Sequence, residues 1–422
     1  MKKYLEKLPE GLKSLINKVR EEAARENLKA YLVGGFVRDL ILGVKNLDLD
    51  IVVEGDGIKF SQTLGCLLNA KVTAHKQFGT ATLFISPVLK IDFSTARRES
   101  YPKPGHLPVV TPGSLKEDLY RRDFTVNAMA IGLADGKLVD YFGSEADLRN
   151  NVIRVLHDLS FIDDPTRILR AVRFEQRYGL KIELRTLALL KEALKSKMLE
   201  RVHPHRTRDE LILILKEKNA IKNIRRLDKL AGFDFISDKI KVSGKVISLL
   251  RNIEKEISRF NEGNSVKRPL DSWLVYLMGL FEDLDTRAIK NICVKFGLRK
   301  GEEKRLLSYR QAKPGAVKEL SNPKIKPSRI FALLEPLSYE VIIALKARQD
   351  NPVFSRNIKN FLEIYNGMRI SVCGEDLHCL GLSPGPRYQK IFAQVLNAKL
   401  NGKVTNKDEE ISLIKGLLKK RS

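Results

Sequence analysis

Cysteine, tryptophan and acidic side chains are all scarce in this 422-residue chain. The four cysteines (Cys66, Cys293, Cys373 and Cys379) are scattered. Cys373 and Cys379 flank His378, but their spacing matches no zinc pattern and no second ligand pair follows. So few cysteines, with no signal peptide, point to a reducing, cytoplasmic setting. Glu6, Glu10, Glu21 and Glu22 near the start argue against an acid-poor transit peptide. No apolar run approaches the length needed to cross a bilayer, so no membrane is expected. The one tryptophan, Trp273, lies in the apolar stretch 268–281 (RPLDSWLVYLMGLF) and reads as core. Against 76 Lys and Arg stand only 51 Asp and Glu, a net charge of +25. Such a surplus implies a polyanionic partner, nucleic acid before membrane.

The remaining composition, 43% hydrophobic and 30% charged, describes a globular protein long enough for two or more cores. Its organising stretch is 31–54, YLVGGFVRDLILGVKNLDLDIVVE. An apolar strand breaks at Gly34-Gly35, a short helix Phe36–Leu42 follows, and a second strand alternates over Asp48–Glu54. Alternation puts Asp48 and Asp50 on one face, with Cα atoms roughly 6.6 Å apart. At an effective dielectric near 20 their repulsion is on the order of 2.5 kcal/mol. A hard cation such as Mg²⁺ would relieve it. The glycine pair can bring backbone N–H groups close to a phosphate, ahead of a helix N-terminus that favours anions. Phosphate and metal sites a dozen residues apart form a nucleotidyl-transfer layout.

Downstream, strands are expected near 71–74, 80–85 and 89–94, the last carrying Asp92. The Pro- and Gly-rich stretch 95–119 is expected to lack regular structure. YRRDFTVNAMAI (120–131) brings Arg121, Arg122, Asp123 and Asn127 together, and arginine forks suit phosphate oxygens. A hairpin turn at 134–137 leads to a last strand, 138–141. From about 145 the pattern is helical. FIDDPTRILRAVRFEQRYGL (161–180) opens with Asp163-Asp164-Pro165 as cap and first-turn proline, and Arg167, Arg170 and Arg173 recur every third residue.

The string GGFVRDLILGVKNLDLD, with RRDFTVNA and DDPTRILRAVRF, resembles the signature of polymerase-β-like nucleotidyltransferases. Within them it is closest to the bacterial-type (class II) branch of tRNA CCA-adding enzymes and bacterial poly(A) polymerases. The resemblance implies an α+β fold: a nucleotidyltransferase head with a small mixed sheet (1–145), then an all-helical neck (146–220), body (221–345) and tail (346–422). It implies Mg²⁺ on Asp48 and Asp50, with Asp92 the best-placed third catalytic carboxylate. Gly34, Gly35, Arg38, Arg121, Arg122, Asp123 and Asn127 would bind the nucleotide, including its ribose. Asp164 and Arg167 would read its base, with Arg170 and Arg173 beside them. It also implies that part of 95–119 is a loop that moves during nucleotide selection.

The sequence departs from the family at Asp163, usually Glu, and at His205-Arg206, usually Glu-Arg. Arg208, Asp209 and Glu210 agree, so ERVHPHRTRDELILIL (200–215) is expected to support the recognition helix. Beyond 220, helices alternate with basic linkers such as 313–318 and 321–328. The stretch 374–404, with a turn at 381–386 entering a helix, resembles a tail element that grips tRNA. The expected reaction is attack of a tRNA 3′-OH on the α-phosphate of ATP and/or CTP. Poly(A) polymerase, A-only or C-C-only addition, and a non-catalytic RNA-binding protein are the alternatives. A small-molecule nucleotidyltransferase would have no use for the long basic helical half.

Overall fold

The computed structural model describes residues 2–6, 8–44, 46, 48–87, 89–262 and 269–419. They form two compact units, Met1–Phe235 and Ile236–Ser422.

After a short helical turn, Lys2–Leu5, the first unit continues with the helix Glu10–Arg25, which buries Leu12, Leu15, Ile16 and Val19 as their spacing predicts. Its strands are β1 (Lys29–Val33), β2 (Leu49–Glu54), β3 (Lys71–His75), β4 (Thr80–Ser86), β5 (Leu89–Thr95), β6 (Arg97–Ser100), β7 (Val109–Pro112), β8 (Met129–Gly132), β9 (Leu138–Asp140), β10 (Val152–Ile153) and β11 (Lys181–Ile182). The last two pair parallel, so the stretch 146–220, expected to be all-helical, is not. Seven of them make one mixed sheet in the order β3-β4-β5-β2-β1-β8-β9. β2 sits at its centre, parallel to β5 and antiparallel to β1. On one face Ile51 and Phe93 are buried, and Phe93 meets Phe60 of the helix Gly57–Leu67 edge-to-face at 5.6 Å. The other face carries Asp50, Asp92 and Thr82 in one cross-strand row. Val52, two residues beyond Asp50, packs there with Leu115, Leu119 and Ala130.

Three other local expectations change. The stretch 95–119 is regular: β6 and β7 pair antiparallel, from Arg97 opposite Pro112 to Ser100 opposite Val109. The helix Leu115–Tyr120 follows, opened by a Ser114–Glu117 capping box. Pro102, Pro104 and Pro108 fall in the hairpin's connection and Pro112 ends its second strand, where a missing N–H costs little. The second change is at the helix Thr166–Tyr178, where Pro165 is itself the cap residue and Asp164 accepts the Thr166 N–H at 3.1 Å. Third, the expected linker 313–318 lies inside the helix Lys300–Leu320. Leu306, Tyr309 and Leu320 are buried on either side of it, which offsets the roughly 3 kcal/mol a helix-interior proline costs.

Among the described residues of the second unit, every regular element is a helix. The stretch 321–328 is a connection, and its Pro327 starts the helix Pro327–Leu334. Ser272–Leu280 is buried along its whole length, Trp273 included, while Arg268 lies outside the described residues. Near the end, Val372, Leu377, Leu382, Ile391, Val395 and Ile414 form a separate small core. Gly381, at φ +79°, turns the chain between the helices Gly374–Cys379 and Pro386–Leu400.

Phe93→Ala should lower the stability of the sheet unit by about 3–5 kcal/mol, because it empties a fully buried aromatic site. Phe84→Ala, on the same sheet but 42% exposed, should stay within about 0.5 kcal/mol. Urea midpoints of the two variants make the comparison; equal shifts would contradict this packing.

Candidate active site

The register of β2 against β5 sets Asp50 directly beside Asp92. Adjacent strands lie about 4.8 Å apart, so the two carboxylates share one patch of the sheet face. Asp48 lies just outside the strand, one residue before Leu49. Burial pushes the Asp50 carboxyl up to about 6; Arg122 opposes this, and the charges of Asp92 and Asp48 add to it. Asp92 accepts from Thr82 Oγ1 at 2.5 Å and from Lys90 Nζ at 2.7 Å. Crowded hard-oxygen donors of this kind suit a divalent cation. Among the described residues no three carboxylate, imidazole or thiol groups, Asp48, Asp50 and Asp92 included, are placed to hold a metal ion together, so a cation here would rest on two of them, with water or phosphate oxygens completing its shell.

Gly34 stands at φ +67°, and a Cβ there would lie 2.4 Å from Arg122 Nη1. Only glycine gives this backbone conformation and this space together. Gly35 then starts the helix Gly35–Leu42. Arg122 is held by Asp118 at 2.9 Å, and its buried Nε has no partner. Arg121 is differently committed: it forks onto Asp118 at 2.7 and 3.0 Å and reaches Glu99 at 3.1 Å. Glu99 also anchors Arg97 at 2.9 Å and the Tyr101 hydroxyl at 2.8 Å, tying β6 to the arginine pair. Burial would raise Asp118, but Arg122 and Arg121 keep it below the usual carboxylate range. Of the two adjacent arginines, Arg122 has more uncommitted donors and is the one whose charge acts on Asp50.

Asp123 is buried, and all its lone-pair positions are taken. Oδ1 accepts from Asn127 Nδ2 and the Phe124 N–H, both at 2.8 Å; Oδ2 accepts from Arg170 Nε at 2.9 Å and Nη2 at 2.7 Å. Burial would raise this carboxyl, yet Arg170 and Asn127 hold it down to about 2. Asn127 Oδ1 in turn accepts from Arg38 Nη1 at 2.5 Å. Arg38 is itself buried, stacked 4.3 Å above the Tyr178 ring and bonded to Asp39 at 2.9 Å. Arg170 continues to Glu210 at 2.9 Å, and Arg173 lies 3.4 Å from the same carboxylate.

Asp164 keeps one acceptor position open. Its Oδ1 takes the Thr166 N–H and hydroxyl, and its Oδ2 takes Arg206 Nη2 at 2.7 Å. Arg167 spends one N–H on Ser160 Oγ at 2.5 Å and one on the Arg121 carbonyl at 2.6 Å, leaving three of its five donors. Asp164 and Arg167 line, with Asp48, Asp50, Arg122, Asp123 and Arg170, a cavity of about 630 Å³, within the range of nucleotide-sized sites. Nine arginines and no lysine line it, against six carboxylates.

Of the residues singled out from the sequence, Gly35, Arg38, Asp48, Asp50, Arg121, Arg122, Asp123, Asn127, Asp164, Arg167, Arg170 and Arg173 border this cavity. Gly34 lies beneath Arg122, and Asp92 opens onto an adjoining cavity that shares Asp50, Arg121 and Arg122. Sequence reasoning missed Tyr178, Arg206, Glu99 and Asp118. Tyr178 and Arg206 have no local signal, because Arg38 and Asp164 lie in other segments, whereas Asp118, three and four residues before Arg121 and Arg122, had one in its helical spacing, and Glu99 had close partners at 97 and 101. The expected supporting role of 200–215 is visible in Arg206–Asp164 and Glu210–Arg170.

Residues 30–154 match the poly(A) polymerase head domain family. The chain is 32% identical to an A-adding tRNA nucleotidyltransferase of Halalkalibacterium halodurans, over 94% of this chain and 90% of that one. It is 35% identical to the A-adding tRNA nucleotidyltransferase of Geobacter sulfurreducens over 96% of its length, but spans only 47% of that longer relative. The solved structure of a Thermotoga maritima CCA-adding enzyme complexed with tRNA superposes with a TM-score of 0.74 at 34% identity, covering 98% of this chain and 97% of that one. The chain belongs to the tRNA nucleotidyltransferase family.

The Asp123 network has a pH signature. Its folded pKa lies below the unfolded value near 4, so the unfolded chain takes up the proton first as pH falls. The stabilisation, on the order of 2 kcal/mol, is whole above about pH 4 and lost toward pH 2. Asp123→Asn should therefore be less stable than the parent at neutral pH, with the gap narrowing below about pH 3. Urea unfolding of both proteins across that range tests this; a gap independent of pH would contradict it.

Proposed function

We propose that this chain is a template-independent tRNA nucleotidyltransferase that adds adenosine to the tRNA 3′ end from ATP, releasing pyrophosphate. The observation that carries this reading is the Asp164–Arg167 pair. One free carboxylate acceptor beside spare guanidinium donors, on the wall of the cavity that holds Asp48 and Asp50, can read a base with no template. Adenine and cytosine both present an exocyclic amine next to a ring-nitrogen acceptor, whereas uracil and guanine put a carbonyl where Asp164 requires a donor. The likeness to the A-adding Halalkalibacterium protein favours adenosine alone. Addition of C-C-A is the second reading, favoured by the likeness to the Thermotoga CCA-adding enzyme.

In this reading Asp48 and Asp50, with Asp92 beside them, hold Mg²⁺. When bound, the metal lowers the pKa of the attacking hydroxyl and offsets charge on the leaving phosphate. Arg122 donates to the triphosphate, and Gly34-Gly35 let it approach the backbone. Asn127 has one amide N–H left for a ribose hydroxyl, which a deoxynucleotide would leave unpaired. Asp123, already saturated, acts by holding Asn127 and Arg170. Arg121, Arg38 and Arg173 frame the pocket. The head and neck (1–145 and 146–220) thus perform the chemistry and selection. The body and tail (221–345 and 346–422) carry tRNA, in a cytoplasmic setting.

The test is incubation with tRNAs ending before, within and after C-C, with CTP and ATP supplied separately. One adenosine on the C-C end and no cytidine addition is the expected result. Cytidine addition moves the assignment to C-C-A, and repeated adenosine addition to any RNA would overturn both. Asp48→Ala or Asp50→Ala should abolish incorporation with tRNA binding retained; activity within about tenfold of the parent, roughly 1.4 kcal/mol of barrier, contradicts the carboxylate assignment.

Asp164→Ala should admit UTP or GTP relative to ATP by about ten- to hundredfold in the ratio of kcat/KM. A uniform loss that leaves the preference intact would move base selection elsewhere.

A further inference from the structure

Asp48 lies outside the ladder hydrogen bonds of β2, so something other than the sheet must fix it. The side chain of Asn46 does so. Its Oδ1 accepts the Asp48 backbone N–H at 2.9 Å, and its Nδ2 donates to Asp39 Oδ2 at 2.8 Å. Asp39 is 2% exposed, and its other oxygen is clamped by Arg38 at 2.7–2.9 Å. Arg38 is anchored by Asn127 and Tyr178, each at 2.5 Å. A continuous chain of hydrogen bonds therefore runs from the cavity wall, through Asn46, to the backbone of Asp48.

We propose that Asn46 is a positioning residue for the cation site: it sets where the Asp48 carboxylate stands relative to Asp50. This rests on the reading of Asp48 as a cation-holding carboxylate. The position needs a donor at one end and an acceptor at the other, on a short arm, which asparagine supplies. Aspartate would keep the acceptor but set a second carboxylate against Asp39. Alanine would leave both Asp39 Oδ2 and the Asp48 N–H without this partner. Groups that orient a metal-holding side chain from behind typically alter metal affinity or activity 10- to 100-fold.

The test uses the full chain and Mn²⁺ as probe, with free Mn²⁺ followed by electron paramagnetic resonance. Asn46→Ala should weaken Mn²⁺ binding about tenfold or more. At saturating substrates its kcat should fall by a similar factor, with KM for ATP and for tRNA within about twofold of the parent. Asn46→Asp, equal in size, should show the same split, and it carries the test should the alanine variant fold poorly. Parent-like Mn²⁺ affinity in the folded variant, or a loss spread evenly over KM and kcat, overturns the proposal. Asp48→Ala serves as the reference. If it also binds Mn²⁺ like the parent, the reading of the carboxylates fails; if it loses Mn²⁺ while Asn46→Ala does not, only the role of Asn46 fails.

Discussion

The cavity is held in shape by one buried carboxylate. Asp123 accepts four hydrogen bonds, and through them joins three segments that are far apart in sequence. Asn127 links it to Arg38 on the helix after the glycine pair; Arg170 links it to the helix Thr166–Tyr178 and onward to Glu210. A buried anion is tolerable only when its partners saturate it, and removing one partner strands the charge in a poor solvent. The three segments are therefore fixed with respect to one another, and the cavity between them has little freedom to collapse. Arg170, at the other end of the pair, is held more firmly protonated than a free arginine: burial works against it, and Asp123 and Glu210 outweigh that.

Much of this was legible in the sequence where chemistry and backbone geometry are local. Strand alternation placed Asp50 on one face, while Asp92 came only from the family resemblance, which calls for a third carboxylate on a neighbouring strand; the register of β2 against β5 sets the two side by side. Gly34 was legible as a backbone requirement. What was not legible depends on partners. Arg121 and Arg122 read alike in sequence, but the fold commits one to two carboxylates and leaves the other with an unpartnered Nε. The repeating arginines at 167, 170 and 173 could have been a wetted helix face. Burial of 167 and 173, and the ion pair of 170, turn them inward. The hairpin of β6 and β7 was hidden because its prolines, which signal disorder in isolation, occupy positions where a strand pair does not need their N–H.

The cations of the cavity are all arginine, which follows from their confinement. A lysine placed among eight other cations and partly out of water could lower its pKa and surrender its charge, whereas a guanidinium stays protonated. The planar fork also lets each arginine serve a structural carboxylate with one edge and keep the other for a ligand. Arg122 shows that division on Asp118, and Arg167 does the same with the Ser160 hydroxyl and the Arg121 carbonyl as its structural partners. The wall is thus built from the same groups that face inward.

Gly34 and Arg122 occupy what is in effect a single side-chain volume: the guanidinium fills the space that the glycine leaves empty. A side chain at 34 therefore meets two separate obstacles: it would displace the guanidinium whose charge acts on Asp50, and its backbone would still have to hold the left-handed φ of +67°. Shortening residue 122 removes the first and leaves the second. The dependence runs one way: the arginine stands where it does because the glycine is there, while the glycine would be needed even without the arginine.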